Sequence, residues 1–365
     1  MKPRLELRDL RTRFDSFEAV KGVNLSLRRG EFLSLLGPSG CGKSTTLSMI
    51  AGFLDPDGGE ILVDGRVVNR LPPQRRRIGL VFQDYAVFSR LTVRENLAFG
   101  LEAQRVPRDE RERRLSAMIE KLDLGPILGR YGGSLNMSEM QRVAIARVLV
   151  TQPELLLLDE PMSNLDASLR ASLRGELKQI QRELNQTILY VTHDQVEAMS
   201  MSDRIAVMRA GELLQVGTPD EIYHRPVDRF VAEFIGDPPI NILPCDVSVS
   251  GGGVSVRTAL HGPIALTLHD VPQGRHWLGV RPHHFRLAEA GESGAAASIV
   301  RFVENLGAEH IIHVDYGDQL AAVATVPHAA AIGDRVAIAI EAGSAHLIRE
   351  DTGRVAASVP VEPVA

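Results

Sequence analysis

The sequence lacks the features that mark secreted and membrane-spanning proteins. It has only two cysteines, Cys41 and Cys245, in 365 residues, so a disulfide framework is excluded and a reducing compartment is favoured. No apolar run approaches the roughly 20 residues that are needed to span a bilayer. Residues 1–10 alternate charge with leucine, which predicts a first strand and not a signal peptide. The sequence therefore predicts a cytosolic protein that reaches a membrane only through a partner.

An excess of basic charge is also missing. Lysine and arginine together number 41 against 46 acidic residues, for a formal net charge of -5, so nucleic acid is not expected as a partner. The hydrophobic fraction of 44% and the charged fraction of 24% are typical of a soluble globular protein. A chain of this length predicts two or three domains.

Composition indicates a domain boundary at residues 236–239, Gly-Asp-Pro-Pro, where two prolines stop a helix. Before it, in residues 1–236, apolar strands alternate with amphipathic helices, which predicts an α/β domain with a largely parallel sheet. After it, in residues 237–365, short strand-like runs between Gly, Pro and Asp predict a small all-β barrel or sandwich. These runs are residues 247–250, 264–268, 277–280, 311–316 and 335–340. Residues 355–365 are expected to form a frayed tail.

A phosphate-binding loop is predicted between a buried strand, residues 31–36, and a helix, residues 45–52. The pattern G-x-x-x-x-G-K-S and the residue after it are formed by Gly37, Pro38, Ser39, Gly40, Cys41, Gly42, Lys43, Ser44 and Thr45. The glycines let several N–H groups point at one anion, and the dipole of the following helix adds to the attraction. Lys43 is expected to reach the β- and γ-phosphates and Ser44 to bind Mg²⁺. The alternative is a glycine-rich turn that contains a lysine.

Two acidic residues follow a short apolar run. Residues 155–158 are all leucine and predict a buried parallel strand, which ends at Asp159 and Glu160. Because the carboxyl ends of parallel strands meet at one edge of a sheet, Asp159 is expected to hold Mg²⁺. Glu160 is expected to polarise the attacking water as a general base. The alternative is a buried strand that ends in two solvated acids.

A histidine, His193, ends another strand-like run, residues 188–192. A lone histidine is more often structural than functional. A third parallel strand would nevertheless carry this side chain to the same edge of the sheet. A neutral His193 is therefore expected to hydrogen-bond both the γ-phosphate and the catalytic Glu160.

In order and spacing, these motifs resemble the ATP-binding subunits of ABC transporters, and the resemblance covers the whole chain. It includes the phosphate loop, Asp159-Glu160, and residues 163–166 and 192–194. It implies that Gln83 senses Mg²⁺ and water and couples to the membrane subunits, and that Asp166 lies in a loop at a dimer interface. It also implies that Phe14 stacks on adenine, which needs only a π-face. The alternative for Phe14 is a core residue.

The C-terminal part is similar to the maltose-importer type of this family. The similar segments are residues 221–226, 228–236, 279–284 and 303–309. They imply a P-loop ABC ATPase domain followed by a regulatory, oligonucleotide-binding-like β domain of the TOBE/MOP type. The implied cargo is sugars, glycerol phosphate, polyols or related solutes. An ATPase of a polyamine or inorganic-ion importer remains an alternative, because this subunit never touches the cargo.

One segment departs from the family. Where the family has Leu-Ser-Gly-Gly-Gln, a signature that closes over the γ-phosphate held by the opposite subunit, this chain has Leu135, Asn136, Met137, Ser138 and Glu139. The amide of Asn136 can still donate a hydrogen bond. The side chain of Met137 adds bulk where a close backbone approach is expected. Two ATPase subunits are expected to sandwich ATP head to tail, either as a homodimer in which Asn136 suffices or as a heterodimer with a second subunit.

The resemblance implies an ATP-hydrolysing subunit, with ATP and Mg²⁺ bound, on the cytoplasmic face of the plasma membrane. Its expected partners are two transmembrane permease subunits and, through the complex, a periplasmic or extracellular solute-binding protein. The permease contact is expected around Tyr85, Val87 and Phe88, unless these residues belong to the core. A nucleotide-gated regulatory subunit with little turnover is the alternative that the altered signature favours.

Overall fold

The structure is a computed structural model, and it describes residues 2–163, 165–250, 253–262, 264–266, 271–289, 291–292, 294–325, 330–340 and 344–360. Contacts divide the chain into two compact units, Met1–Pro219 and Asp220–Ala365. Residues 220–236 fall in the second unit, because Arg281 of that unit donates hydrogen bonds to the carbonyl oxygens of Tyr223 and Ala232 (both 3.1 Å). The division by contacts therefore lies earlier in the chain than the boundary predicted from composition. Among the described residues, no helix combines the length and the apolar character needed to cross a membrane.

The first unit contains two sheets and six helices in its described part. The strands are β1 Leu5–Phe14, β2 Phe17–Leu27, β3 Phe32–Leu36, β4 Gly58–Val63, β5 Arg66–Val67, β6 Ile78–Val81, β7 Leu155–Asp159, β8 Ile188–Thr192, β9 Arg204–Arg209 and β10 Glu212–Gly217. The helices are α1 Lys43–Ala51, α2 Val93–Ala103, α3 Arg108–Lys121, α4 Met137–Leu149, α5 Ala167–Leu184 and α6 Gln195–Met201. Short 3₁₀ helices lie at Pro73–Arg75, Gly125–Ile127 and Gly132–Ser134.

The larger sheet of this unit has the strand order β10-β9-β3-β8-β7-β6, and all neighbours are parallel except β10 and β9. The predicted parallel sheet is therefore confirmed. Leu36 pairs with Thr192, and Val191 pairs with Asp159. This register brings the carboxyl ends of β3, β8 and β7 side by side, so that the segments following them share one edge of the sheet.

Both faces of this sheet are covered. Every residue of β3 and β8 is buried, which explains why apolar residues predominate in both strands. Phe32 and Tyr190 pack into a core shared with the helices α2 to α5. Leu33 and Leu35 face the opposite core, which contains α1 and the antiparallel sheet β2-β1-β4-β5.

The second unit contains a small all-β domain, as its sequence predicts, and two short helices come before its strands. The helices are α7 Pro219–His224 and α8 Arg229–Phe234, and a 3₁₀ helix lies at Pro282–His284. The strands are β11 Asn241–Ser250, β12 Gly253–Thr258, β13 Ile264–Leu266, β14 Gly274–Val280, β15 Phe285–Ala288, β16 Ala296–Asn305, β17 His310–Tyr316, β18 Gln319–Thr325, β19 Arg335–Ile340, β20 Ser344–Arg349 and β21 Val355–Pro360. Two antiparallel sheets, β13-β12-β11-β14-β20-β21 and β15-β19-β16-β17-β18, enclose one apolar core.

All five strand-like runs of the C-terminal sequence lie in strands, although residues 267–268 of one run lie outside the described residues. The expected frayed tail is wrong for residues 355–360. These residues form β21, and Leu347 of β20 pairs with Ala357. The segment forms a strand because the edge of β20 is available for pairing. The sequence does not reveal that edge. Residues 361–365 lie outside the described residues.

Candidate functional site

The glycine-rich loop joins the end of β3 to the start of α1. Gly42 has φ +102°, a left-handed conformation that disfavours other residues. A Cβ on Gly42 would lie 2.5 Å from the carbonyl oxygen of Ala19, and one on Gly37 would lie 2.3 Å from that of Met208. Since α1 begins at Lys43, the N–H groups of its first turn have no carbonyl partner within the helix. The loop is thus a tight curve that leaves backbone donors for an anion.

Lys43 is buried, and its ammonium group lies inside the loop. Its Nζ donates hydrogen bonds to the carbonyl oxygens of Gly37 (2.8 Å) and Pro38 (3.0 Å). It also lies 4.0 Å from Oε1 of Glu160. Ser39, Gly40 and Ser44 are exposed, whereas Cys41 is buried, and burial raises the pKa of its thiol. The arrangement concentrates one positive charge at an open, donor-rich surface, which is the environment that a phosphate chain needs.

Ser44 and Asp159, predicted from separate motifs, are in contact. Ser44 Oγ donates a hydrogen bond of 3.0 Å to Asp159 Oδ1. Burial raises the pKa of Asp159, the hydrogen bond from Ser44 lowers it, and the neighbouring charge of Glu160 raises it again. A bound cation would offset this cost by favouring the ionised carboxylate. A hydroxyl and a carboxylate are oxygen ligands of the kind Mg²⁺ takes.

The described residues contain no cluster of three or more His, Cys, Asp and Glu that could hold a metal. Mg²⁺ is commonly bound by one or two carboxylates together with substrate phosphates. The donor set of Ser44 and Asp159 therefore fits a magnesium ion that is completed by a nucleotide.

Glu160 and His193 meet at the same edge of the sheet. His193 Nδ1 lies 2.9 Å from Glu160 Oε2, although 33 residues separate them in the chain. The Glu160 side chain is 17% exposed and the His193 side chain 50%. Glu160 has φ +44°, an uncommon backbone conformation for this residue type and one that costs free energy. From this position directly after β7, the Glu160 carboxylate contacts His193 and lies 4.0 Å from the ammonium nitrogen of Lys43.

Gln83 reaches the loop that follows Glu160. Its Nε2 donates a hydrogen bond of 3.2 Å to Ser163 Oγ, and Ser163 Oγ donates one of 3.0 Å to the carbonyl oxygen of Glu160. This contact uses the amide nitrogen of Gln83, so its amide oxygen is available as a ligand for a cation. The structure thus brings Gln83 to the segment that carries Glu160.

Asp166 and Phe14, both placed by resemblance, lie at the surface. Asp166 caps α5, because its side chain accepts a hydrogen bond of 2.9 Å from the N–H of Leu169. Phe14 pairs with Phe17 at the hairpin between β1 and β2, and it is 49% exposed. The alternative that Phe14 is a core residue is therefore wrong. The β2 strand of this hairpin passes the phosphate loop, where Ala19 meets Gly42.

Two hydrogen bonds join Asn136 and Glu139 within the segment of residues 135–139. The Asn136 side chain accepts a hydrogen bond from the N–H of Glu139, and the Glu139 side chain accepts one from the N–H of Asn136, both at 2.9 Å. This is a capping box at the start of α4, and Arg130 adds an ion pair of 2.7 Å to Glu139. Asparagine followed three residues later by glutamate is the signal that sequence reasoning overlooked. Met137 is 36% exposed and begins the helix.

One of the three residues expected at the permease surface is buried in the structure. Tyr85 is 2% exposed, and its hydroxyl donates a hydrogen bond of 3.1 Å to the carbonyl oxygen of Pro161. Tyr85 therefore belongs to the core, as the alternative had it. Phe88 is 39% exposed and packs against Phe99, with the ring centroids 4.7 Å apart and the ring planes tilted by 56°. Val87 is half-buried.

A buried hydrogen-bond network lies under His193, and sequence reasoning missed it. Thr192 Oγ1 and the Tyr190 hydroxyl donate to Glu197 Oε2 at 2.7 and 2.8 Å. Asp194 caps α6 through the N–H groups of Val196 (2.8 Å) and Glu197 (3.1 Å). The spacing of an aspartate and a glutamate three residues later indicates a helix start. It does not indicate that the glutamate points back to the strand.

The parallel sheet, the phosphate loop and the paired Glu160 and His193 together define a nucleotide-binding P-loop protein. The sequence profile of the ABC transporter family matches residues 20–163, and that of the TOBE domain matches residues 278–348.

Several curated proteins are similar to this chain over nearly its whole length. The sn-glycerol-3-phosphate import ATP-binding protein of Rhizobium johnstonii is 41% identical over 96% of this chain and 95% of its own. The lactose transport ATP-binding protein of Rhizobium radiobacter is 42% identical over 96% of this chain and 99% of its own. The sulfoquinovosyl glycerol transport ATP-binding protein of Agrobacterium fabrum is 42% identical over 86% of this chain and 88% of its own.

A solved structure is also similar to this chain. It is cbiO1 from Clostridium perfringens, described as part of an ABC transporter complex. It is similar with a TM-score of 0.57 and 32% identity, over 61% of this chain and 91% of that chain. The chain belongs to the family of ABC transporter ATP-binding subunits, and it is an ABC-type transport ATPase.

Proposed function

We propose that this chain is the subunit that hydrolyses ATP for an importer of glycerol phosphate, sugars or related small polar solutes. The observation that carries the proposal is the 2.9 Å contact between His193 and Glu160 beside the loop that contains Lys43. The relatives are named for the import or transport of sn-glycerol 3-phosphate, lactose and sulfoquinovosyl glycerol. The test is phosphate release by the transporter reconstituted with its permease subunits and solute-binding protein, with and without each solute class. Stimulation by polyamines or inorganic ions alone would contradict the cargo assignment.

In the proposed mechanism, the backbone donors of residues 37–45 and the Lys43 ammonium bind the ATP phosphates. Ser44, Asp159 and Gln83 would hold Mg²⁺, which supplies positive charge to the phosphate oxygens when bound. Glu160 accepts the proton of the attacking water as a general base. Phe14, exposed on its hairpin, stacks on the adenine.

His193 has a defined protonation requirement in this mechanism. When Glu160 is ionised, His193 Nδ1 must carry the proton of their 2.9 Å hydrogen bond. A neutral ring then has only an acceptor left at Nε2, so the expected second hydrogen bond to the γ-phosphate requires a proton on both nitrogens. A neutral His193 can therefore donate to only one of its two expected partners at a time.

The active unit is proposed to contain two ATPase subunits, of which this chain supplies one. In the family arrangement, Asp166 and the segment of residues 135–139 face the opposite subunit. In this chain the carboxylate of Glu139 and the capping box occupy the start of α4, where an anion would otherwise bind. The proposed partner is therefore a second, non-identical ATPase subunit, and the homodimer is the alternative.

The rival function is a regulatory subunit with little turnover, which the closed signature segment favours. The pairing of Glu160 with His193 opposes it, since a protein that only binds ATP has no need of a positioned base. Steady-state phosphate release by the assembled transporter distinguishes the two. Turnover coupled to solute uptake supports the transport ATPase, and binding without turnover supports the regulator.

Replacing Lys43 by alanine should weaken ATP binding about 10- to 100-fold, because a charge-assisted hydrogen bond contributes roughly 1.5–3 kcal/mol. The measurement is titration of the full chain with a fluorescent ATP analogue. Lys21→Ala, which removes a half-buried lysine 4.0 Å from Glu212, serves as the control and should bind ATP normally. Normal binding by Lys43→Ala would contradict the assigned site.

Two transmembrane permease subunits are the proposed membrane partners, contacted on the cytoplasmic face through the surface around Val87 and Phe88. Phe88→Glu should lower coupled transport about tenfold, since an aromatic anchor at an interface contributes more than 1 kcal/mol. The readout is solute uptake together with phosphate release in proteoliposomes. Val67→Glu places the same charge on another exposed apolar residue, 51% exposed on β5, and should leave uptake unchanged. Full uptake by a folded Phe88→Glu transporter would exclude this surface.

A further inference from the structure

The turn that carries His193 is joined by a side chain of α5 to the loop that follows Glu160. Arg170 NH1 donates a hydrogen bond of 3.1 Å to Asp194 Oδ2, and Arg170 Nε donates one of 2.8 Å to the carbonyl oxygen of Leu165. The Arg170 side chain is 31% exposed and that of Asp194 is 22% exposed, so water screens this pair only in part. One guanidinium thus spans the two segments whose ends carry the proposed base and its histidine.

The Asp194 end of this bridge is held by further hydrogen bonds. Asp194 Oδ1 caps α6, and the N–H of Asp194 donates to Thr192 Oγ1 at 2.9 Å. Thr192 in turn donates to the buried carboxylate of Glu197. Burial raises the pKa of Glu197, and the hydrogen bonds from Thr192 and Tyr190 lower it. His193 therefore sits in a turn held by its neighbours on both sides.

The Leu165 end belongs to the segment that follows Glu160. Ser163 donates to the carbonyl oxygen of Glu160, and the N–H of Leu165 donates to the carbonyl oxygen of Met162 at 3.2 Å. Glu160 itself has a strained φ of +44°, which the surrounding structure must hold. The Arg170 guanidinium is planar and carries its donors in a fixed geometry. Its hydrogen bonds to Leu165 and Asp194 therefore restrict the distance between the two segments.

We propose that Arg170 is a positioning residue for ATP hydrolysis, which holds the His193 turn and the Glu160 loop together and so keeps His193 Nδ1 against Glu160. This inference rests on the proposed roles of Glu160 and His193. Arg170 acts through His193 and does not touch the nucleotide. Its loss should therefore lower kcat and leave KM for ATP unchanged.

The test uses the full transporter with its permease subunits, assayed for steady-state ATP hydrolysis over a range of ATP concentrations, so that kcat and KM are obtained separately. Arg170→Ala should lower the rate about tenfold, because a displacement of about 1 Å in a catalytic group costs up to 100-fold. Arg170→Lys keeps one donor and should recover part of that loss. Arg174→Ala is the matched control: it lies one turn along α5, and its side chain makes no hydrogen bond or ion pair among the described residues.

The decisive comparison is made in a His193→Ala background. If Arg170 acts through His193, Arg170→Ala causes no further loss there, whereas a general destabilisation lowers the rate equally in both backgrounds and overturns the proposal. Thermal unfolding of each variant checks that the chains are folded. A wild-type rate for Arg170→Ala also overturns it. A wild-type rate for His193→Ala overturns both this proposal and the assigned role of His193, while the effect of Glu160→Gln still tests the proposed base separately.

Discussion

Glu160→Gln is expected to slow ATP hydrolysis about 10²- to 10⁴-fold, the usual contribution of a positioned general base. Glutamine keeps the shape of the side chain and its hydrogen bond with His193, which is 2.9 Å long, but it cannot take a proton from water. ATP binding should persist, because the phosphate contacts come from the loop and Lys43. Phosphate release and nucleotide binding are measured on the same assembled transporter.

A matched control for this change is Glu212→Gln. It removes one negative charge from an exposed position on β10, which three strands of the sheet separate from β7. This variant should keep wild-type activity. If Glu160→Gln hydrolyses ATP at the wild-type rate, Glu160 is not the base. If it loses ATP binding as well, the carboxylate acts on the nucleotide and not on water.

The second large effect is expected at the altered signature. In a transporter with this chain as its only ATPase, the triple change Asn136→Ser, Met137→Gly and Ser138→Gly should raise hydrolysis about 10- to 100-fold. A hydrogen bond to a charged group contributes roughly 1.5–3 kcal/mol. At about 1.36 kcal/mol per tenfold in rate, its loss at the transition state accounts for that factor. Serine is itself a good N-cap, so the start of α4 should survive the change.

The capping box explains why this segment is a poor phosphate site in its present form. The N–H of Glu139 is occupied by Asn136, and the Glu139 carboxylate repels an approaching phosphate. Glu139→Gln alone removes the charge and retains a reciprocal hydrogen bond. It therefore distinguishes the effect of charge repulsion on hydrolysis from the effect of the missing glycines. Full coupled transport by the unaltered homodimer, with no gain from the triple change, would exclude the heterodimer. Restoration of activity by a second ATPase subunit with an intact signature would support it.

Local sequence was enough for the features that one contiguous motif encodes. The phosphate loop is predicted by its glycines because their positions follow from backbone geometry, as the φ of +102° at Gly42 illustrates. The parallel sheet is predicted because strands covered on both faces must be apolar throughout, as residues 155–158 are. The strand-end rule then places Asp159 and His193 at one edge without any knowledge of their contacts.

Side-chain burial could not be predicted in the same way. Tyr85 has the sequence neighbours of a surface aromatic, but a loop conformation with φ +61° turns it into the core. The tail strand β21 exists only because β20 offers it a free edge. Residues 220–236 follow the first domain in sequence, but the hydrogen bonds from Arg281 tie them to the second unit.

The sequence by itself determined the class of this protein, its phosphate loop, the acids at the end of β7 and the departure from the family signature, because each is written in adjacent residues. Only the tertiary structure decided that Arg170 joins Asp194 to Leu165, and it gave the expected contact between His193 Nδ1 and Glu160 Oε2 its distance of 2.9 Å. Those contacts span from 5 to 33 positions in the chain. Their geometry depends on strand register, loop conformation and helix start together, and no single stretch of sequence specifies all three.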